Sequence, residues 1–164
     1  MILLDTHILI TFSLADKIDL LIDLVVGHRL GISSNVLAEI KKGQEKAYPH
    51  AALSIKYVLQ SKIEVLIATT DETRFIQELP SSFGRGEQDS VSIAKHRKGI
   101  FLTNEKRIIN YCERERISCI TLEMILRSLW EEGIQTKEQV KRLIDDIEQR
   151  DNLVISSKEE IFSE

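Results

Sequence analysis

The chain has 164 residues, 43% hydrophobic and 29% charged, with 7 Gly, 2 Pro and a formal net charge of −4. That length suits one domain able to bury about two-thirds of its unfolded surface, and the composition excludes a disordered, collagen-like or disulfide-framework protein. The acidic balance gives no global basic signature for nucleic acid, although Lys41-Lys42, Lys95-His96-Arg97-Lys98, Lys106-Arg107 and Arg114 with Arg116 form local clusters.

Ile2-Leu3-Leu4 reads as a short buried strand, and Asp5 ends it. An ionised carboxylate there is costly unless paired or bound to a cation. Capping a helix that starts near His7 is the competing use, and the two weigh evenly. Residues 17–26 place Ile18, Leu21, Ile22, Val25 and Val26 on one helical face. A strand over Arg29–Ile32 leads to a helix over 34–42, where Glu39 lies near the Val36 edge of the buried face. Taken alone, Glu39 reads as a solvated boundary residue. A helix over 48–60, a strand over Ile63–Ile67 and a helix over 71–78 follow.

Gly84-Arg85-Gly86 reads as a loop that allows the backbone close to a ligand, ahead of a helix over 87–98. Glu87 and Asp89 stand in its first turn, where the helix dipole alone favours acids by about 0.3–1 kcal/mol each, and the small Ser90 leaves room beside them. After the strand Ile100–Leu102, Thr103 or Asn104 is a candidate cap for a helix over 105–115, with Glu105 a first-turn acid. Ser118–Thr121 is the fifth strand. Helices over 122–132 and 136–149 form a helical extension, the second opened by the capping-box spacing Thr136-Lys137-Glu138-Gln139.

Strands alternating with helices predict an α/β fold on a parallel sheet of about five strands. The boundaries read as one domain, 1–150, with the helical extension from about 122 and a polar tail, 151–164, that docks or seeks a partner. Sites in such sheets form beyond the carboxyl ends of the strands. Asp5, Glu39, Glu87, Asp89 and Glu105 would gather there. Carboxylates brought together repel, and a hard divalent cation, Mg²⁺ or Mn²⁺, relieves them. The pattern points to phosphate chemistry, in which metal ions supply part of the positive charge.

Cys112 and Cys119 match no zinc spacing and read as buried, reduced thiols, which suits a cytoplasmic compartment. No stretch approaches the roughly 20 apolar residues of a membrane span, and Met1 to Phe12 lacks the basic start of a signal peptide. His7, His28, His50 and His96 share no metal-ligand spacing, and His7 reads as a packing or supporting residue near Asp5. Trp130 follows the stripe Ile125, Leu126 and Leu129 and belongs to core or interface.

Four stretches resemble the PIN-domain metal-dependent nucleases: ILLDTHILI with Asp5, SSNVLAEIKKG with Glu39, GRGEQDSVSIAK with Glu87 and Asp89, and IFLTNEKRI with Thr103 and Glu105. The resemblance runs from Ile2 to about Leu143, and SLWEEGIQTKEQVKRLI resembles an uncharacterised prokaryotic branch more than the compact VapC-type toxins. It implies a three-layer α/β/α sandwich and cleavage of phosphodiesters, usually in RNA. It also implies that Asp5, Asp89 and Glu105 hold one or two Mg²⁺ or Mn²⁺ ions, with Glu39 and Glu87 completing the shell. Asp5, Glu39, Asp89 and Glu105 would be the catalytic acids. Glu105 departs from the family's usual Asp by one methylene, and Ser90 from the commoner Ala.

The leading expectation is a metal-dependent ribonuclease, either the toxin of a toxin–antitoxin pair with an antitoxin partner or an RNA-processing enzyme. A non-catalytic PIN-like module binding RNA or a protein comes second, and a phosphatase third, since Asp5-Thr6-His7 supplies no Asp-x-Asp. Lys42, Lys106 and Arg107 are candidate phosphate contacts, and the resemblance suggests a homodimer, with the apolar C-terminal helices as its surface.

Overall fold

Five short apolar strands, each followed by a helix, set the frame. The computed structural model describes residues 1–163; Glu164, the end of the predicted tail, lies outside them. The strands are β1 (Ile2–Leu4), β2 (Leu30–Ser33), β3 (Glu64–Leu66), β4 (Ile100–Leu102) and β5 (Ser118–Ile120). All pair in parallel, in the order β3-β2-β1-β4-β5. Each predicted strand is present: β1 and β4 keep the predicted bounds, and the other three differ by one residue at one or both ends. The first strand made is therefore the middle one, and the strand order reverses at β1.

Successive side chains of a strand point to opposite faces, and β1 divides accordingly. Ile2 and Leu4 enter one apolar cluster with Leu102, while Leu3 enters the other with Phe101. The first cluster packs against α1 (Thr6–Leu14), α2 (Ile18–Leu24), α3 (Ser34–Glu45), α4 (Pro49–Leu59), α8 (Leu122–Glu131) and α9 (Lys137–Asp151). The second includes buried residues of α6 (Arg85–Arg97) and α7 (Lys106–Arg114), joined at its edge by Phe75 and Ile76 of α5 (Thr70–Ile76). Helices on both faces of one parallel sheet make the three-layer α/β/α sandwich.

Two of the helix starts that differ from the sequence reading bear on the acids. α6 begins at Arg85, so Gly84-Arg85-Gly86 is not a free loop: Gly84 is the cap and Gly86 already lies in the helix. Gly86 serves a close helix approach, since a Cβ there would lie 2.9 Å from Val36 Cγ2 and 3.0 Å from Glu39 Oε1. The earlier start leaves Glu87 in the first turn and moves Asp89 beyond it. At α7 the N-cap position belongs to Glu105, which makes no side-chain capping bond; Asn104 instead accepts from the Leu122 amide, 3.3 Å away.

The predicted capping box at Thr136 and Gln139 is present. The apolar stripes of α8 and α9, including Ile125, Leu129, Val140 and Ile147, are fully covered within the chain. The tail docks through a short helix, α10 (Lys158–Phe162), and buries Ile155 and Ile161. Trp130 is half-buried at this seam, and its Nε1 donates to the Ile161 carbonyl at 2.9 Å. Among the described residues no helix is long and apolar enough to cross a membrane. Cys112 and Cys119 are both free thiols, the first buried and the second half-buried.

Candidate active site at the centre of the sheet

The strand order reverses between β1 and β4, and the carboxyl ends at such a point are where open parallel sheets bind ligands. Asp5 stands at the end of β1 and is 3% exposed. Its backbone amide donates to Leu102 at 3.0 Å, prolonging the ladder with β4. It occupies the N-cap position of α1, yet its side chain makes no capping bond. The carboxylate turns instead to β4, where Thr103 Oγ1 donates to Oδ2 at 3.0 Å. Capping does not account for Asp5.

Burial pushes the Asp5 carboxyl up to about 6, with the nearby Glu87 charge adding to the rise; His7, Thr103 and the Thr6 amide pull it back. Thr103 is itself fully buried, and its hydroxyl also accepts from the Glu105 amide at 3.3 Å. One hydroxyl thus ties the first acid to the last. Glu105 is partly exposed, and the exposed His7 stands between the two acids. Its Nδ1 lies 3.5 Å from Glu105 Oε1 and 3.9 Å from Asp5 Oδ2. His7 is therefore a mouth residue rather than a packing one.

Asp89 is buried on α6 and accepts from Asn35 Nδ2 at 2.7 Å. Burial raises its pKa; bonds from Asn35 and Ser33 counter the rise, and the Glu39 charge adds to it. Glu39 is exposed on α3, against the first turn of α6, and accepts a hydrogen bond from the Thr6 hydroxyl. Glu87 reaches back to the Gly84 amide at 2.7 Å and receives Arg107 Nη2 at 2.9 and 3.0 Å. Arg107 also donates to the Ser82 carbonyl, so this predicted phosphate contact joins α7 to α6. Ser90 is fully buried and its hydroxyl has no partner, so its small size serves packing rather than an open space.

Electrostatic influence links the acids in two groups, Asp5 with Glu87 and Asp89 with Glu39, while Glu105 joins Asp5 through His7. As placed, among the described residues, no three Asp, Glu, His or Cys side chains converge closely enough to hold a metal ion. Glu39 is turned to Thr6, Glu87 to Arg107 and Asp89 to Asn35. The donor set still fits a hard divalent cation in kind: the acids offer only oxygen, and the buried pair Asp5 and Asp89 is disfavoured as anions. Sequence reasoning missed Asn35 as the partner of Asp89. Its only signal was the polar Ser33-Ser34-Asn35 directly after an apolar strand.

Two flanking features complete the site. Lys42 lies one helical turn beyond Glu39 and lines a cavity that also takes in Glu39 and Thr6. On the other side, Asp89, Asn35 and Arg85 line a second depression together with the apolar Ile67 and Ile76. A family model described as a PIN domain matches residues 1–160. No curated protein matches the chain. A match over nearly all of the chain, on a five-stranded parallel sheet with a buried aspartate at its reversal point, makes this chain a member of the PIN-domain family, whose members are generally nucleases that use divalent metals.

Proposed function

We propose that this protein is a divalent-metal-dependent endoribonuclease that hydrolyses phosphodiesters with an activated water. The observation that carries the reading is Asp5, a carboxylate buried at the centre of a parallel sheet, raised to about 6, and used for no cap. Asp5, Asp89 and Glu105 would hold one or two Mg²⁺ or Mn²⁺ ions, with Glu39 and Glu87 completing the surround. When bound, such ions lower the pKa of a water and stabilise charge developing on the phosphate.

The chain's own residues prepare that site. Thr103 orients Asp5, Asn35 orients Asp89, and Arg107 holds Glu87 at the start of α6. His7 covers the gap between Asp5 and Glu105 and is placed to approach a phosphate or its water. Lys42 supplies positive charge beside Glu39. Asp5, Glu39, Asp89 and Glu105 are the acids assigned to catalysis.

The test is cleavage of a mixed pool of structured and single-stranded RNAs with Mn²⁺ or Mg²⁺, beside EDTA and Asp5→Asn controls. Cleavage lost in both controls is the expected result. No cleavage by the wild-type chain, despite a melting temperature raised by Mn²⁺, would favour the second reading, a non-catalytic module binding RNA or a protein. The longer Glu105 and the dispersed acids are the observations on that side.

We further propose a cytoplasmic role, as the toxin of a toxin–antitoxin pair or in RNA processing. An antitoxin segment would fill the acidic crevice. A homodimer is part of this reading. Because α8 and α9 bury their stripes within the chain, pairing would use other surface, such as the edge strand β3 with Val65 and, just beyond it, Ile67 exposed. Light scattering showing a monomer at working concentration would count against it.

A further inference from the structure

The cavity beside Glu39 has a construction that catalysis by the acids does not require. It holds about 200 Å³, below the range of about 300–1,000 Å³ usual for larger ligands, and suits one flat ring system. Ile10 and Ile40 give it an apolar lining, Thr6 and Glu39 join it to the acidic site, and Lys42 and Lys46 stand at its edge. The remaining side comes from the turn between α3 and α4. There Ala47 adopts a positive φ of 59°, and the Tyr48 amide donates to the Gly43 carbonyl at 3.1 Å.

That turn presents Tyr48 rather than burying it. Its ring stacks on His50, with centroids 5.5 Å apart and planes 24° from parallel, yet 47% of the residue stays exposed. Gly43 lets α3 lie close to α4: a Cβ there would lie 3.3 Å from Ala51 Cβ, and at ordinary contact, 3.5 Å, from Tyr48 Cδ2. A half-exposed aromatic stack gains little from folding. It is well suited to accept another flat ring, because every nucleobase offers a π-face and stacking of this kind is sequence-tolerant.

We propose that this pocket receives one unpaired nucleobase of the RNA substrate, stacked on the Tyr48–His50 pair, with Lys42 and Lys46 on the neighbouring phosphates. The inference rests on the nuclease reading above and locates, at the α3–α4 turn, the contact that would require an unpaired base. Bases inside a duplex are already stacked and cannot enter. Two lysines at the rim favour a nucleotide over an apolar side chain of a protein partner. They also place cationic charge next to Glu39, where a phosphate backbone would otherwise be repelled.

The test uses the full chain and labelled eight-nucleotide RNAs of single base composition, with a duplex as comparison. Binding is read by fluorescence anisotropy with and without Mg²⁺, and the site by photo-crosslinking of a 4-thiouridine oligonucleotide. Tyr48→Ala should weaken single-strand binding about 10-fold, Tyr48→Phe should restore it, and duplex affinity should not change. Lys42→Ala should reduce the salt dependence by about one phosphate contact. The crosslink should fall on the α3–α4 turn. Unchanged single-strand affinity in Tyr48→Ala, or a crosslink wholly outside that turn, overturns the assignment. So does a wild-type chain that binds no oligonucleotide, which would leave the pocket to protein contact. Tyr48-dependent binding without any cleavage in Mn²⁺ would sink the nuclease reading and leave the base pocket standing.

Discussion

Burial holds the Asp5 carboxyl at about 6, above its ordinary 3.8, so between those values the folded chain binds more protons than the unfolded one. Stability from this group is therefore greatest below the lower value and falls as pH rises through the window, by about 2–3 kcal/mol at most. Asp5→Asn should raise the melting temperature at about pH 7.5 in EDTA, with the gain vanishing below about pH 4. Melting scans across that range check it, and no gain at neutral pH would show that the carboxylate is not disfavoured. The same variant should lose any stabilisation by Mn²⁺. Thr103→Val keeps the shape but removes the donor to Asp5 and the acceptor for the Glu105 amide. Cleavage should fall about 10- to 100-fold, at the scale of one unmade buried bond, with an unchanged circular dichroism spectrum. Asp5 was legible because an acid ending an apolar run has few uses. The role of Thr103 was hidden, since a threonine after a strand reads as a helix cap until its partner, nearly a hundred residues earlier, is known to be adjacent. Asn35 was hidden for the same reason, its partner Asp89 lying 54 positions away.

At the scale of elements, α3 and α6 meet closely enough to bring Glu39 near Asp89, and Gly86 is the residue that permits it. Gly86→Ala should cost about 1–3 kcal/mol by overpacking against Val36 and should lower activity as α6 moves from α3; a denaturant midpoint measures the first. Alternation of strands and amphipathic helices made the sheet readable, since period-2 and period-3.6 patterns are local. The start of α6 was not, because glycine favours loops in isolation and only the neighbouring helix explains its place inside one. A second seam joins α5 to α6, where Arg97 donates to Glu72 from Nε at 2.7 Å and Nη2 at 2.8 Å. Glu72 is 2% exposed, and the Arg97 bonds hold its carboxyl below the usual range despite burial. Its stabilisation is present above the ordinary 4.5 and is lost as pH falls through the lowered value. Arg97→Ala leaves that carboxylate with the Thr69 amide, at 2.7 Å, and should cost about 1.5–3 kcal/mol near neutral pH. The penalty should shrink in acid as Glu72 takes a proton, and urea titrations at two pH values read both effects.

For the molecule as a whole, the tail closes the first core. Ending the chain after Asp151 removes the buried Ile155 and Ile161, worth about 1.5–3 kcal/mol each, and frees Trp130 Nε1 from the Ile161 carbonyl. Since Trp130 is the sole tryptophan, a red shift of its emission together with a lower melting temperature is expected; an unmoved spectrum would mean that the tail does not shield it. Five residues of α10 are too few for a readable period, so the docking of this tail was not legible from its scattered apolar residues. The strand order carries a consequence of another kind, in time. β1 is made before its two neighbours, β2 and β4, and Thr103 follows Asp5 by 98 positions. At about 5–20 residues per second, the first aspartate waits at least about 5–20 s for the strand that orients it. A nascent chain halted before β4 therefore carries the acid without its setting, and the site is assembled only once β4 has been made.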